Sequence, residues 1–443
     1  MRKFIKQMLQ NHAFQKKTAL VDNNYQYTYR DLLQKVNDYE KLLLNNGIEK
    51  KTVIIYGDFD INSVTMFLAL LITGNVVTLM NNDNRENSEL QKTIGANFIF
   101  DHVTENIIKL ADNKLPSLTA KLFHQNESGI IFFTSGTTGK PKAILHSATK
   151  LLKKYEFSKK SYITLGFLLF DHIAGIDTLL YTLFAHGALV RITDRSPDNV
   201  YETLRENHVE VFPTSPSFLT MLIIRSLWNS SELPNFKIIT FGSERMADET
   251  LKKTKIMLGT EVRAIQKYGI TEMGSPIVKS KPNDPLWISI DRRTTDYKIE
   301  NGVLFLKAST SMLGYIYPDR CEEFNGWFNT QDKVEVDGEW IKILGRTTDI
   351  INVGGQKVYP AEVESVLLEM DNINDVSVFS KDNPIMGKIV AAKINLEDDE
   401  PVNSLKKRIR KYCKSRLESF KIPAYIKITK EKQVSDRFKK VRK

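Results

Sequence analysis

Along much of the chain, short apolar runs rich in β-branched residues alternate with stretches whose apolar residues recur at helical spacing. This alternation restricts the fold to an α/β or α+β architecture, because strands and helices that bury apolar faces in turn need layers of both kinds. Residues 52–56, 97–100, 129–133, 188–192, 209–212 and 237–241 are predicted as buried strands, with helices over 29–44 and 63–73 between them. No internal repeat of solenoid length is visible. With 443 residues, 42% hydrophobic and 26% charged, the composition is that of a globular protein with a large core, which excludes the disordered and disulfide-scaffold classes.

The texture changes after Thr330. The string KVEVDGEWIKILG reads as a hairpin turning at Asp337-Gly338. A helix over 361–370, opened by Tyr359-Pro360, and strands over 375–379 and 389–394 follow. Leu405, Ile409, Tyr412, Cys413, Leu417 and Phe420 then share one face of a basic amphipathic helix expected to start at Asn403 or Ser404. The expected organisation is an N-terminal domain over 1–346 and a small α+β C-terminal domain over 347–443.

The net charge of +10 is unevenly placed. Residues 401–443 hold sixteen Lys/Arg against three Asp/Glu, a net of +13, which leaves the first 400 residues at about −3. Such a segment suits an anionic cofactor, an acidic partner protein or nucleic acid, or it is a solvated face. None of the nucleic-acid recognition motifs is present, so no nucleic-acid partner is expected. Apolar runs such as 66–72 are too short to span a bilayer. Polar residues interrupt every apolar stretch of MRKFIKQMLQNHAFQKK, so no secretory signal is read there and a cytoplasmic location is expected. Cys321 and Cys413 form no CxxC, and the seven histidines form no Cys/His cluster, so neither disulfides nor structural zinc are expected.

The first segment that carries chemistry is Phe133-Thr-Ser-Gly-Thr-Thr-Gly-Lys-Pro-Lys142. A strand that ends in Thr134, Ser135, Gly136, Thr137, Thr138 and Gly139, followed by Lys140 and Lys142, offers N–H groups, hydroxyls and positive charge to phosphate oxygens. It is not a Walker A loop, since Pro141 follows the lysine where Ser or Thr and then a helix are required.

These ten residues resemble the phosphate-binding signature of the adenylate-forming superfamily, which includes acyl-CoA synthetases, adenylation domains of nonribosomal peptide synthetases and beetle luciferases. Tyr268-Gly-Ile-Thr-Glu272 matches the family's YGxTE, and Asn329-Thr-Gln-Asp332 stands where YxTGD is usual. Gly345-Arg346 through Gly354-Gly355-Gln-Lys-Val-Tyr-Pro-Ala-Glu-Val-Glu364 resembles the opening of the family's mobile C-terminal domain. Order and approximate spacing agree from about residue 15 to the end.

The resemblance implies an ATP-dependent ligase with two half-reactions. A carboxylic acid, fatty or aryl, attacks the α-phosphate of MgATP to give acyl-AMP and pyrophosphate; a pantetheine thiol of CoA or of a carrier protein then displaces AMP. It further implies that the Thr134–Lys142 loop holds the β- and γ-phosphates, with Thr271 at the α-phosphate and Glu272 as a Mg²⁺ ligand. Magnesium keeps several waters, so one carboxylate and ATP oxygens suffice. Asp332 would accept from the ribose hydroxyls, with Arg346 as a donor fork. Gly242, Ser243 and Glu244 would form the adenine loop, with Tyr268 and Gly269 beside the base. Gln331 departs from the family's glycine, in a backbone conformation that costs glutamine more.

In Leu169-Phe-Asp-His-Ile-Ala-Gly175 the resemblance nominates His172 as the residue that gates the carboxylate. Asp171 is the alternative: amino-acid-activating members pair this carboxylate with the substrate ammonium. Only one of the two faces the pocket if the segment is extended. Phe212 to Phe218 is expected to supply another wall. The family's hinge falls at Thr348, next to Asp349, and Gly354 and Gly355 resemble the loop that lines the pantetheine tunnel. The adenylation lysine aligns with Lys440, with Lys439 as the alternative. The competing readings are an amino-acid adenylation enzyme loading a carrier protein, and a binding module that has lost catalysis.

Overall fold

The computed structural model describes residues 2–23, 25–80, 87–135, 141–157, 160–226, 228–384 and 387–430. Thr52–Tyr56 and Val76–Met80 are buried at every position. Their continuous apolar character is what central parallel strands covered on both faces require. They lie in an eight-stranded sheet ordered Cys321–Glu323, Gly314–Ile316, Pro141–Ser147, Gly129–Ser135, Val76–Met80, Thr52–Tyr56, Phe98–Asp101, Asn106–Lys109. A second sheet of seven strands runs Arg263–Gln266, Ile238–Phe241, Val211–Thr214, Ile163–Gly166, Ala188–Arg191, Thr18–Asp22, Tyr25–Thr28, parallel except at its last pair.

Between these sheets lies one apolar cluster that holds Val53, Ile55 and Val77 of the first, Leu20 and Leu189 of the second, and the helices Ile61–Ile72 and Ile173–Phe184. The helix Ile61–Ile72 buries all but one of its residues, as a helix apolar on every side must. Asp60 caps it through the Ser63 N–H. The predicted strand 209–212 begins later, at Val211, because Val209 N–H bonds to Leu204 O and closes the preceding helix.

A six-stranded antiparallel sheet follows, ordered Val278–Ser280, Trp287–Ile290, Trp340–Arg346, Phe328–Asp337, Val303–Ala308, Thr295–Glu300. Asp337 pairs with Trp340, so Gly338 at φ +61° and Glu339 form its two-residue turn. After Arg346 come the hairpin Ile351–Val353/Gln356–Val358, the helix Pro360–Leu368 and a sheet of Ile373–Asn383, Gly387–Leu396 and Tyr425–Ile428. These elements share a core of their own, from Ile351 to Ile426. The basic helix runs Val402–Cys413 and buries Leu405, Ile409 and Cys413. It starts one to two residues before the expected Asn403 or Ser404: Pro401 occupies the cap position, where its fixed φ sets the entry, and the Ser404 hydroxyl goes to Glu400 instead. Leu417 and Phe420 lie beyond the helix end and pack on the same core from the following turns. The fold is thus α/β with packed sheets and a small α+β C-terminal part.

Candidate active site

The strands Gly129–Ser135 and Pro141–Ser147 form an antiparallel hairpin in which Thr134 pairs with Lys142. The candidate phosphate residues Gly136, Thr137, Thr138 and Gly139, with Lys140, lie outside the described residues. Lys142, at the base of the hairpin, places its Nζ 5.2 Å from the centre of the Tyr315 ring. The Tyr315 hydroxyl donates a 3.0 Å hydrogen bond to Glu272 Oε1. A single phenol thus joins the loop lysine to the carboxylate expected to hold magnesium.

Thr271–Met273 is one turn of 3-10 helix. Its position is set by three contacts: Met312 N–H to Glu272 O at 2.8 Å, the Thr310 hydroxyl to Met273 O at 2.7 Å, and His146 Nε2 to Thr271 O at 2.8 Å. Burial holds the His146 pKa down from 6.5 to about 4, which makes the ring neutral near pH 7. Gly274 ends the turn at φ +69°, where a Cβ would lie 2.8 Å from Thr310 O. Among the described residues no group of three or more His, Cys, Asp or Glu is placed to hold a metal. Glu272 suits a magnesium ion that takes its other oxygens from phosphate and water.

Asp332 and Arg346 face each other across the strands Phe328–Asp337 and Trp340–Arg346. Asp332 is 6% exposed; its Oδ2 accepts a 2.6 Å hydrogen bond from the Tyr268 hydroxyl, and its Oδ1 lies 3.6 Å from Arg346 Nε. Burial raises the Asp332 pKa, and the Tyr268 bond opposes that rise. Gln331 adopts φ +60°, the left-handed conformation expected of the family's glycine. Its N–H goes to Asn329 Oδ1 at 2.9 Å and that of Asp332 to Thr330 Oγ1 at 3.0 Å, so the turn is pinned by its own side chains.

The parallel strands Ile238–Phe241 and Arg263–Gln266 end side by side, which brings Gly242-Ser243-Glu244 next to Lys267-Tyr268-Gly269. Carboxyl ends of parallel strands are where such sheets bind ligands. A Cβ on Gly242 would lie 2.6 Å from Lys267 O, so only glycine permits this approach. Glu244 Oε1 accepts from Ser217 N–H at 2.7 Å at the start of the helix Pro216–Arg225, which ties this loop to the Phe212 to Phe218 wall.

The segment at Asp171 and His172 is a turn, closed by His172 N–H to Leu169 O at 3.1 Å, so the one-in, one-out expectation for an extended segment does not apply. Both side chains are partly buried, and His172 takes the N-cap position of Ile173–Phe184 without a side-chain cap. A Cβ on Gly175 would lie 2.0 Å from Leu169 O; the glycine lets this turn sit on the helix. Gly354 and Gly355 form the two-residue tip of a hairpin, both at positive φ, and Thr348 lies in a 3-10 turn beside Asp349. Lys439 and Lys440 lie outside the described residues.

Residues 9–295 match the profile of the AMP-binding enzyme family. The chain belongs to that family. Residues 362–439 of this AMP-binding enzyme match the profile of the AMP-binding enzyme C-terminal domain. A 2-succinylbenzoate–CoA ligase of Listeria monocytogenes serotype 4b (strain F2365) is 25% identical to it over 448 aligned positions, covering 94% of this chain and 93% of the relative. Among solved structures, the anthranilate CoA ligase AuaEII with anthranoyl-AMP matches it with a TM-score of 0.80 at 18% identity, over 96% of this chain and 93% of that one. The o-succinylbenzoate coenzyme A synthetase of Bacillus subtilis with ATP and magnesium matches with a TM-score of 0.75 at 20% identity, over 98% and 96%. The AMP-binding enzyme is accordingly an acid–thiol ligase of the acyl-adenylate-forming class.

Two residues at the candidate site of this AMP-binding enzyme, His146 and Tyr315, have no motif that announces them, and a third, Lys267, adjoins one. His146 sits in an apolar strand and Tyr315 on the short strand Gly314–Ile316. Only Lys267 carries a signal, its place next to Tyr268 in the motif.

Proposed function

We propose that the protein activates a small carboxylic acid with ATP to give acyl-AMP and pyrophosphate, then transfers the acyl group to a pantetheine thiol. The observation that carries this reading is the Glu272–Tyr315–Lys142 arrangement, which brings two motifs far apart in sequence to one place. Adenylation has a clear physical purpose. A carboxylate is anionic and lacks a leaving group; joining it to AMP removes the charge and supplies a stabilised phosphate that can leave.

In this reading the Thr134–Lys142 hairpin and Thr271 hold the phosphates, Glu272 holds Mg²⁺, and Asp332 with Arg346 holds the ribose. Bound magnesium neutralises phosphate charge. Tyr268, whose hydroxyl is engaged by Asp332, presents its ring face to the base. Gly242 and Gly269 let the backbone approach the nucleotide, while Glu244 orients the loop through Ser217. His172, Asp171 and the face of the helix Ile173–Phe184 that is left out of the core form the acid wall. Residues 1–346 act as the adenylation domain; 347–443 turn about Thr348 to bring Gly354 and Gly355 to the thiol. Free thiols at Cys321 and Cys413 fit a cytoplasmic enzyme.

The relatives' names make aryl and dicarboxylic acids, such as 2-succinylbenzoate and anthranilate, the first substrates to try. The acceptor is CoA or a carrier protein. Lys407, Arg410, Lys411 and Lys414 are exposed, with Lys406 half-buried, along one basic helix, which favours an acidic carrier. Pyrophosphate exchange with a panel of carboxylic acids tests the activity: exchange with an acid supports it, and none with any acid or amino acid refutes it. Carrier transfer that slows steeply with salt, and that is impaired by charge reversal at Lys407 and Lys411, supports the carrier. Efficient transfer to CoA with carrier transfer indifferent to both assigns CoA.

A further inference from the structure

The helix Ile173–Phe184 leaves Ala174, Asp177, Thr178 and Tyr181 out of the core, at i, i+3, i+4 and i+7 on one face. Lys267, at the carboxyl end of Arg263–Gln266, meets this face, its Nζ 6.0 Å from the centre of the Tyr181 ring. Lys267 is exposed although its neighbours Gln266 and Tyr268 are buried. The protein packed around it nevertheless lowers its pKa, chiefly by desolvation, against the pull of Asp177 and with a further push from Lys154. Lys267 thus stands at the carboxyl end of its strand, against the helix face that the core leaves uncovered.

The carboxylate that faces this ammonium is already engaged. Asp177 Oδ1 lies 2.5 Å from Lys154 Nζ and accepts a 2.8 Å hydrogen bond from the Tyr155 hydroxyl. Lys154 in turn donates to Gly274 O at 2.8 Å and Ser275 O at 3.0 Å. Lys154 and Asp177 therefore neutralise each other, and among the described residues Lys267 has neither an ion pair nor a side-chain hydrogen bond. A partly desolvated cation without its own counter-ion is stabilised by a ligand that brings one. It also repels a ligand ammonium, which counts against the amino-acid alternative.

We propose that Lys267 is a specificity-determining residue of the acid pocket, pairing with a second anionic group, a carboxylate, on the acid being activated. This deepens the function proposed above and rests on it. Tyr181 supplies an aromatic wall to the same end of the pocket, so the substrate has one carboxylate at the nucleotide and another at Lys267.

The test compares succinate, glutarate, adipate and phthalate with their monomethyl esters, reading kcat/KM for pyrophosphate release. The wild type is expected to favour its best diacid over the matching ester by roughly tenfold or more, the value of one charge-assisted pair. Lys267→Met should abolish that preference and Lys267→Arg should keep most of it. Activity of Lys267→Met on the esters shows that the variant is folded. The proposal is overturned if the wild type does not distinguish diacid from ester, if Lys267→Met keeps the preference, or if that variant raises the KM for ATP and not for the acid. Release with esters but no diacid preference defeats this inference alone, whereas no release with any acid defeats the proposed function as well.

Discussion

The Tyr268 hydroxyl donates to Asp332 Oδ2 at 2.6 Å, so the aromatic of the YGxTE-like motif and the acid of the later NTQD string form one buried pair. Loss of a hydrogen bond to a buried carboxylate costs about 1.5–3 kcal/mol. Tyr268→Phe should therefore lower stability in urea denaturation and raise the KM for ATP. In the proposed role the ionised Asp332 accepts from both ribose hydroxyls and protonation weakens that grip, and burial already raises its pKa. Without the phenol that pKa rises further, so kcat/KM for ATP should fall away at a higher pH in the variant as the solution is acidified. An unchanged acid limb would remove Tyr268 from this role.

Glu272→Ala should lower adenylation at least about tenfold, roughly 1.4 kcal/mol of transition-state stabilisation, with the fold intact by circular dichroism. Tyr315→Phe keeps the carboxylate but releases it from the 3.0 Å phenol bond, so a smaller loss and a weaker apparent Mg²⁺ affinity are expected. Wild-type rates in Glu272→Ala would end the metal assignment.

His146 sets a pH dependence of stability. Its pKa is held from 6.5 down to about 4 by burial, so the unfolded chain binds a proton that the folded chain does not between those values. Stability is then complete above about pH 6.5, declines as the pH falls toward about 4 and is flat below, by something on the order of 3 kcal/mol in all. His146→Gln should flatten that window in denaturant melts at pH 7 and pH 5. Equal slopes in the two proteins would contradict it.

Gln331 at φ +60° carries a left-handed backbone that costs a non-glycine residue roughly 1 kcal/mol. Gln331→Gly should hold or slightly raise the denaturation midpoint, and Gln331→Val should lower it clearly, since a β-branched residue tolerates this region least. A Gly variant markedly less stable than wild type would show that the Gln side chain has a role of its own.

Lys440→Ala should cut acyl-adenylate formation by about 10² to 10³, the scale of a donor aimed at charge developing in a transition state. Transfer from pre-formed acyl-adenylate to the thiol should survive if the proposed turn about Thr348 carries the lysine away for that half-reaction. The selective loss appearing in Lys439→Ala and not in Lys440→Ala would move the assignment by one residue.

What the sequence determined by itself was whatever depends on near neighbours: the alternation of buried strands and helices, the hairpin at Gly338, and the order of the motifs that identify the family. Periodicity, turn chemistry and local hydrogen bonds act over a few residues, so they are legible in one dimension. The tertiary structure alone decided that Asp171 and His172 lie in a turn, that Glu244 is held by Ser217, and that Tyr315 stands between Glu272 and Lys142. It also decided that Asp177 is engaged by Lys154 and that Lys267 stands against the Tyr181 ring. Each of these rests on which strands and helices become neighbours in the sheets, and the partners are distant in the chain. Their charges and hydrogen bonds acquire meaning only when packing excludes water and sets who faces whom.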